Sequence, residues 1–128
     1  MKDEIGNLKP EKTELKARTR GLSLAFIRLY VALPKTTEAQ ILGKQVLRSA
    51  TSVGAHYRES QRAKSDADFI HKVESALQEA EESLYWLELL EGSGILHKPQ
   101  VAELEQELDE LIRIFVAMVC KVKARTGR

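Results

Sequence analysis

The sequence predicts an all-α protein: an antiparallel, up-down-up-down four-helix bundle. Three observations carry that expectation. Apolar residues recur at alternating steps of three and four along most of the chain, the signature of helices that bury one stripe. No segment alternates apolar and polar residues with the period of two that a half-buried strand needs. The three prolines and the Gly92-Ser93-Gly94 triplet fall between or beside the periodic stretches, where they punctuate helices rather than break them.

The expected order is a polar arm over residues 1–12 followed by one bundle domain over 13–128, with helices at about 13–33, 37–63, 65–91 and 99–124. The first helix carries Leu15, Leu22, Phe26, Leu29 and Leu33 on one stripe, and Pro34 stops it. Its second half, LSLAFIRLYVAL, is apolar nearly all round, which a helix buried on one side does not require. The second helix opens on a capping box of Thr37 and Gln40, and its core stripe is Leu42, Val46, Ala50, Val53 and Tyr57. Gly43, Ala50 and Gly54 predict a close helix–helix approach. An interior helical glycine costs about 1 kcal/mol relative to alanine, so it needs a packing reason.

The third helix opens on Ser65 with Asp68 and buries Phe69, Val73, Ala76, Ala80, Ser83, Leu87 and Leu90. The fourth accepts Pro99 in its first turn and repeats Val101, Leu104, Leu108, Leu111, Phe115, Met118 and Val122, the seam of a bundle. Four such helices joined by short loops are expected to be antiparallel neighbours.

A length of 128 residues suits one domain with a core of its own. The single cysteine, Cys120, excludes a disulfide within the chain, fits a reducing compartment and is expected to be a small buried hydrophobe. The N-terminus has no apolar leader, and the longest weakly charged run is too short to span a bilayer. The expectation is therefore a cytoplasmic protein without a membrane partner. Charge is unevenly spread: residues 1–65 hold 13 Lys/Arg and 6 Asp/Glu, residues 66–128 hold 7 and 13. That asymmetry fits either a polyanion-binding face or attraction between helices of one bundle.

Catalytic chemistry has no scaffold in the sequence. His56, His71 and His97 lie on separate elements, without the spacing that places two ligands on one helical face. No Glu-x-x-His pair of the di-metal bundle type occurs. Ser49, Thr51 and Ser52 have no paired base, and no glycine-rich phosphate loop exists. Accordingly no catalytic residue, metal or cofactor is expected. The acids of helices three and four read as solvated faces, and His56, Glu59 and Glu79 stand out as candidate buried polar groups.

Two surface features point to partners. Tyr85, Trp86 and Leu89 add apolar surface off the seam, as do Leu24, Ile27 and Tyr30 on the apolar half of the first helix. Either the core is wide or a subunit interface covers them, and the Tyr-Trp pair favours an interface. On the second helix, Lys44, Arg48, Thr51, Ala55, Arg58 and Arg62 step by three and four along one face, and Lys64 extends it. The face bears four positive charges and no negative one over about 27 Å. It could track a phosphate backbone, or it could be solvated or paired with Glu74, Glu81 or Glu88. It has no interleaved aromatics, so base stacking is not indicated.

The stretch LGKQVLRSATSVGAHYRESQRAKSDADFIHKVESALQEAEESLYWLELL resembles the 23S rRNA intervening-sequence proteins, a four-helix-bundle family. The accessory variability proteins of diversity-generating retroelements share that architecture. The resemblance runs from ELKARTRGLSLAFIRLYVALPK to about the middle of the fourth helix, and RSATSVGAHYRES and EESLYWLELL carry it most specifically. It implies a four-helix protomer in a ring-like homopentamer and does not imply an enzyme. For the accessory variability proteins it also implies a basic surface for nucleic acid and a reverse-transcriptase partner, although no retroelement partner follows from this chain itself. The family's basic positions on the second helix fall on Arg48 and Arg62, and its acidic position on Glu59. His56 departs from the asparagine common there, which would make a hydrogen bond at that place sensitive to pH. The expectation that results is a non-enzymatic oligomeric adaptor that binds RNA or DNA through the second helix. The alternative is a structural assembly module whose ligand is another protein.

Overall fold

In a computed structural model the protein is described from residue 10 to 127, with side chains from Glu14 onward; residues 1–9 of the expected arm lie outside the described residues. Four helices account for it: α1 (Pro10–Ala32), α2 (Thr37–Ser60), α3 (Asp66–Gly92) and α4 (Lys98–Thr126), with no strand among the described residues. Each packs on the next in sequence, and the tightest pairing is α2 with α3. No described helix is long and apolar enough to cross a membrane.

The helix ends explain the loops. α1 begins at Pro10, three residues before the expected start, where proline costs the helix nothing because its missing N–H is an orphan there anyway. The cap of α2 is Thr36 rather than Thr37: its hydroxyl accepts from Ala39 N. Gln40 does not complete a capping box. Its Nε2 donates to Pro34 O at 2.8 Å and its Oε1 accepts from the Tyr30 hydroxyl at 2.9 Å, stapling the end of α1 to the start of α2. Ser65 caps α3 as expected, accepting from Asp68 N, but Asp68 reaches back to Lys64 N instead of Ser65 N. α2 stops at Ser60, so Gln61, Arg62 and Ala63 form a turn rather than the helix's last residues. Gly94, at φ 82°, turns the chain out of α3 so that Leu96 N can donate to Leu90 O. Gln100 Oε1 then accepts from His97 N at the start of α4.

The core lies where the four stripes meet. Phe26, Val46, Ala50, Val53, Val73, Ala76, Ala80, Leu87, Leu90, Leu108, Leu111 and Phe115 are fully buried. Tyr57 stacks on Phe115 with ring centres 6.2 Å apart. Two expected seam positions slip by one residue: Ile70 and Val119 are buried while Phe69 and Met118 are half-buried. The slip is the drift of a 3.6-residue helix against a strict seven-residue pattern. Gly43 and Gly54 do what their placement predicts. A Cβ on Gly54 would stand 3.2 Å from Thr19 Cβ, and one on Gly43 would collide with Leu33 Cδ1.

Thr19 itself is fully buried and was not anticipated in the core; its hydroxyl is satisfied by Leu15 O at 2.8 Å. Ser49 and Ser83, also fully buried, bridge α2 and α3 with a 2.8 Å hydrogen bond. Cys120 corrects the expectation of a buried thiol: it is exposed, one residue off the buried Val119–Val122 stripe.

Candidate nucleic-acid interface

The cations on the second helix divide into two kinds. Arg48 turns toward α3, where Glu82 accepts a short hydrogen bond from its Nη2 and Glu79 lies 3.4 Å from its Nη1. Burial works against the charge on Arg48, but the two carboxylates outweigh it and raise its pKa above the ordinary value. Lys44, Arg58, Arg62 and Lys64 are exposed and form no ion pair among the described residues. None of the expected neutralising partners reaches these four cations: Glu74 is engaged by Lys123 at 3.3 Å, and Glu81 and Glu88 make no ion pair among the described residues. The unpaired cations therefore bracket Arg48 along α2 and continue through the turn that follows it.

A run of polar contacts lies along the α2–α3 seam. His56 Nδ1 lies 3.1 Å from Glu59 Oε1 and its Nε2 3.9 Å from Glu79 Oε2, while Lys72 Nζ lies 3.5 Å from Glu59. The His56 hydrogen bond, aided by Lys72, holds the Glu59 carboxyl below its ordinary pKa. These three were expected to be buried. Glu59 is exposed, and His56 and Glu79 are half-buried. The helix positions were right for polar contact but lie on the rim of the α2–α3 seam, where small residues such as Ser49 and Ala80 occupy the interior.

The expected interface residues also divide. Ile27 is 42 % exposed and Tyr85 52 % exposed, whereas Leu24, Tyr30, Trp86 and Leu89 are half-buried. Tyr30 and Trp86 pack against the core, so at those two positions part of the apolar surplus widens the core. The Trp86 indole N–H is buried without a partner among the described residues. Val31 and Ile41, at 67 % and 58 %, are more exposed than any expected candidate, and Val116 joins them at 43 %. Val31 belongs to the all-round apolar run of α1 and could have been picked from it; Ile41 and Val116 carry no such signal.

Sequence reasoning missed the strongest polar tie, Arg18 to α4. Its Nε and Nη2 fork onto Glu107 at 2.9 and 2.7 Å, and Nη2 also reaches Glu110 at 2.8 Å. The Glu107 hydrogen bond, with Glu110, raises the guanidinium pKa despite partial burial. Among the described residues no three His, Cys, Asp or Glu side chains gather as a metal site.

A four-helix protein with cations on α2 and in the turn after it that form no ion pair among the described residues, and with exposed apolar side chains on every helix, is the class that this structure defines. Residues 11–117 match the model of the 23S rRNA-intervening sequence protein family, and the chain belongs to that family. It is similar, at 34 % identity, to a protein of unknown function from the S23 ribosomal protein family of Bacteroides thetaiotaomicron, known from a crystal structure. That likeness covers 81 % of this chain and 96 % of the other, with a TM-score of 0.77. No curated protein matches the chain.

Proposed function

We propose that this protein is a non-enzymatic nucleic-acid-binding adaptor of the cytoplasm. It acts as a homo-oligomer of up-down-up-down bundles, with a ring of five as the resemblance implies. One observation carries the binding reading: Lys44, Arg58, Arg62 and Lys64 are exposed and form no ion pair among the described residues, while carboxylates on the adjoining helix engage Arg48. Cations with no protein partner can release counterions from a polyanion without first losing an ion pair. Membership of a family linked to rRNA intervening sequences makes RNA the first ligand to try. The up-down order draws support from contacts that run in opposite senses along paired helices: Arg48 meets Glu82 while Glu59 meets Lys72, and Lys98 meets Glu91 while Lys123 meets Glu74. Self-association draws support from the exposure of Ile27, Val31 and Tyr85.

The test is a gel shift at low salt with single-stranded and duplex RNA and DNA. Binding should appear, be reduced strongly by Arg58→Glu with Arg62→Glu, and be changed little by Arg48→Ala. No shift with any of the four probes would sink the proposal.

The assembly-module reading has a specific observation in its favour, the capture of Arg48 by Glu79 and Glu82. It predicts that the charge-reversed double variant assembles normally and that the wild type retains no nucleic acid at any salt concentration.

A further inference from the structure

A groove of about 980 Å³ opens beside the α2–α3 turn, between the start of α1 and the last turns of α4. Its walls include Leu15, Phe69, Ile114 and Met118, of which the last three are half-buried. Lys64 and Lys121 also line it, both exposed and without an ion pair among the described residues. The lining acids are already engaged: Glu14 lies 3.9 Å from Arg18 and Asp66 3.0 Å from Arg125. Tyr57 and Gln61 also line it, as do Arg18 and Arg125, and the Tyr57 hydroxyl and Gln61 Oε1 have no hydrogen-bond partner among the described residues. Buried polar atoms without partners are costly and rare in folded proteins.

Three chemistries thus meet in one place: apolar walls with an aromatic ring, and, without partners among the described residues, a donor-acceptor pair and two ammonium groups. An aliphatic acid would suit the walls and the cations but brings no flat ring to set against Phe69. A nucleotide supplies a flat ring, a polar ring edge and an anionic tail, one for each. We propose that this groove takes a nucleotide, with its base inward against Phe69 and its phosphate toward Lys64 and Lys121. Both orphan atoms are buried, so a side chain must move to admit the base edge. Gln61 is that side chain: it sits in the turn after α2, and its amide makes one hydrogen bond, to Ser60 Oγ at 3.2 Å.

The nucleotide has two possible sources. For a strand, the inference rests on the binding function proposed above, because Lys64 belongs both to the groove and to the run of cations from Arg58 through Arg62. A strand crossing that run reaches the groove, which supplies the aromatic platform that the α2 face lacks. For a free nucleotide, the groove acts alone.

The experiment compares three probes on the full chain by fluorescence anisotropy and calorimetry: a single-stranded RNA, the same strand in a duplex, and AMP. Lys121→Gln and Gln61→Leu are the groove variants, with circular dichroism confirming that each is folded. The strand arm expects single strands to bind about tenfold more tightly than duplex, as one inserted base would provide. Each variant should then weaken single-strand binding by roughly fivefold and leave duplex binding within about twofold. Saturable AMP binding that Lys121→Gln weakens, without any RNA binding, supports the groove with a free nucleotide and overturns the adaptor reading instead. Equal single-strand and duplex affinities insensitive to both variants, together with no AMP binding, overturn the groove inference and leave the α2 strip standing. No binding of any probe overturns both.

Discussion

Arg48 and Arg58 share a face in the sequence and part company in the fold. Arg48 lies where Glu79 and Glu82 of α3 can engage it, whereas Arg58 finds no carboxylate among the described residues. The spacing of basic residues was legible in the sequence; which of them stay free was not, because that depends on the register of α3 against α2. On the proposed binding, replacing Arg48 by alanine should leave nucleic-acid affinity within about twofold, while Arg58→Ala should weaken it and make the salt dependence shallower. The pair at Glu59 makes a second prediction. Its folded-state pKa lies below the ordinary 4.5, so its contribution to stability is present above that value and is lost as pH falls through the folded pKa. Urea midpoints of wild type and Glu59→Gln should differ slightly at pH 7, and the difference should shrink as the medium is acidified below about pH 4.5. The effect is small because the group is solvent-screened.

At the scale of the elements, the fold was legible because stripes, caps and glycines agreed with one another. Four helices were expected and four are found among the described residues; their ends moved by a few residues where Thr36 captured the cap and the α2–α3 turn began early. Gly54 shows how specific the packing is. Thr19 is fully buried and pinned by its bond to Leu15 O, so it cannot yield easily to a new side chain. Gly54→Val should cost about 1–3 kcal/mol of unfolding free energy through overpacking, measured by denaturant titration. A stabilised variant would mean that α1 and α2 are not held this close. Arg18 could not have been read from sequence, since its partners on α4 lie far along the chain. Its fork onto Glu107 and its bond to Glu110 tie α1 to α4, and Arg18→Met should cost on the order of 1 kcal/mol because two neighbouring carboxylates lose their shared cation.

The whole molecule presents the same division between inside and outside. Its core is closed by aliphatic residues and small serines, yet Val31, Ile41, Tyr85, Ile27 and Val116 face solvent in the single chain. Scattered exposure of this kind is ordinary one residue at a time; Ile27 and Val31 share one face of α1, a single turn apart, and so form a pair. If copies assemble through that face, Ile27→Glu with Val31→Glu should convert the oligomer to a monomer in sedimentation velocity while leaving helicity intact. Assembly would also multiply the cationic strips on one particle and raise affinity for a long polyanion through avidity. Those strips carry the central claim, and the salt dependence of RNA binding tests it most directly. In fluorescence anisotropy titrations of a labelled single-stranded RNA, log K for the wild type should fall linearly with log salt concentration. Arg58→Glu with Arg62→Glu should bind more weakly, with a slope shallower by about one for each phosphate no longer neutralised. Wild-type and variant lines that superimpose, or no binding at the lowest salt, would contradict the account.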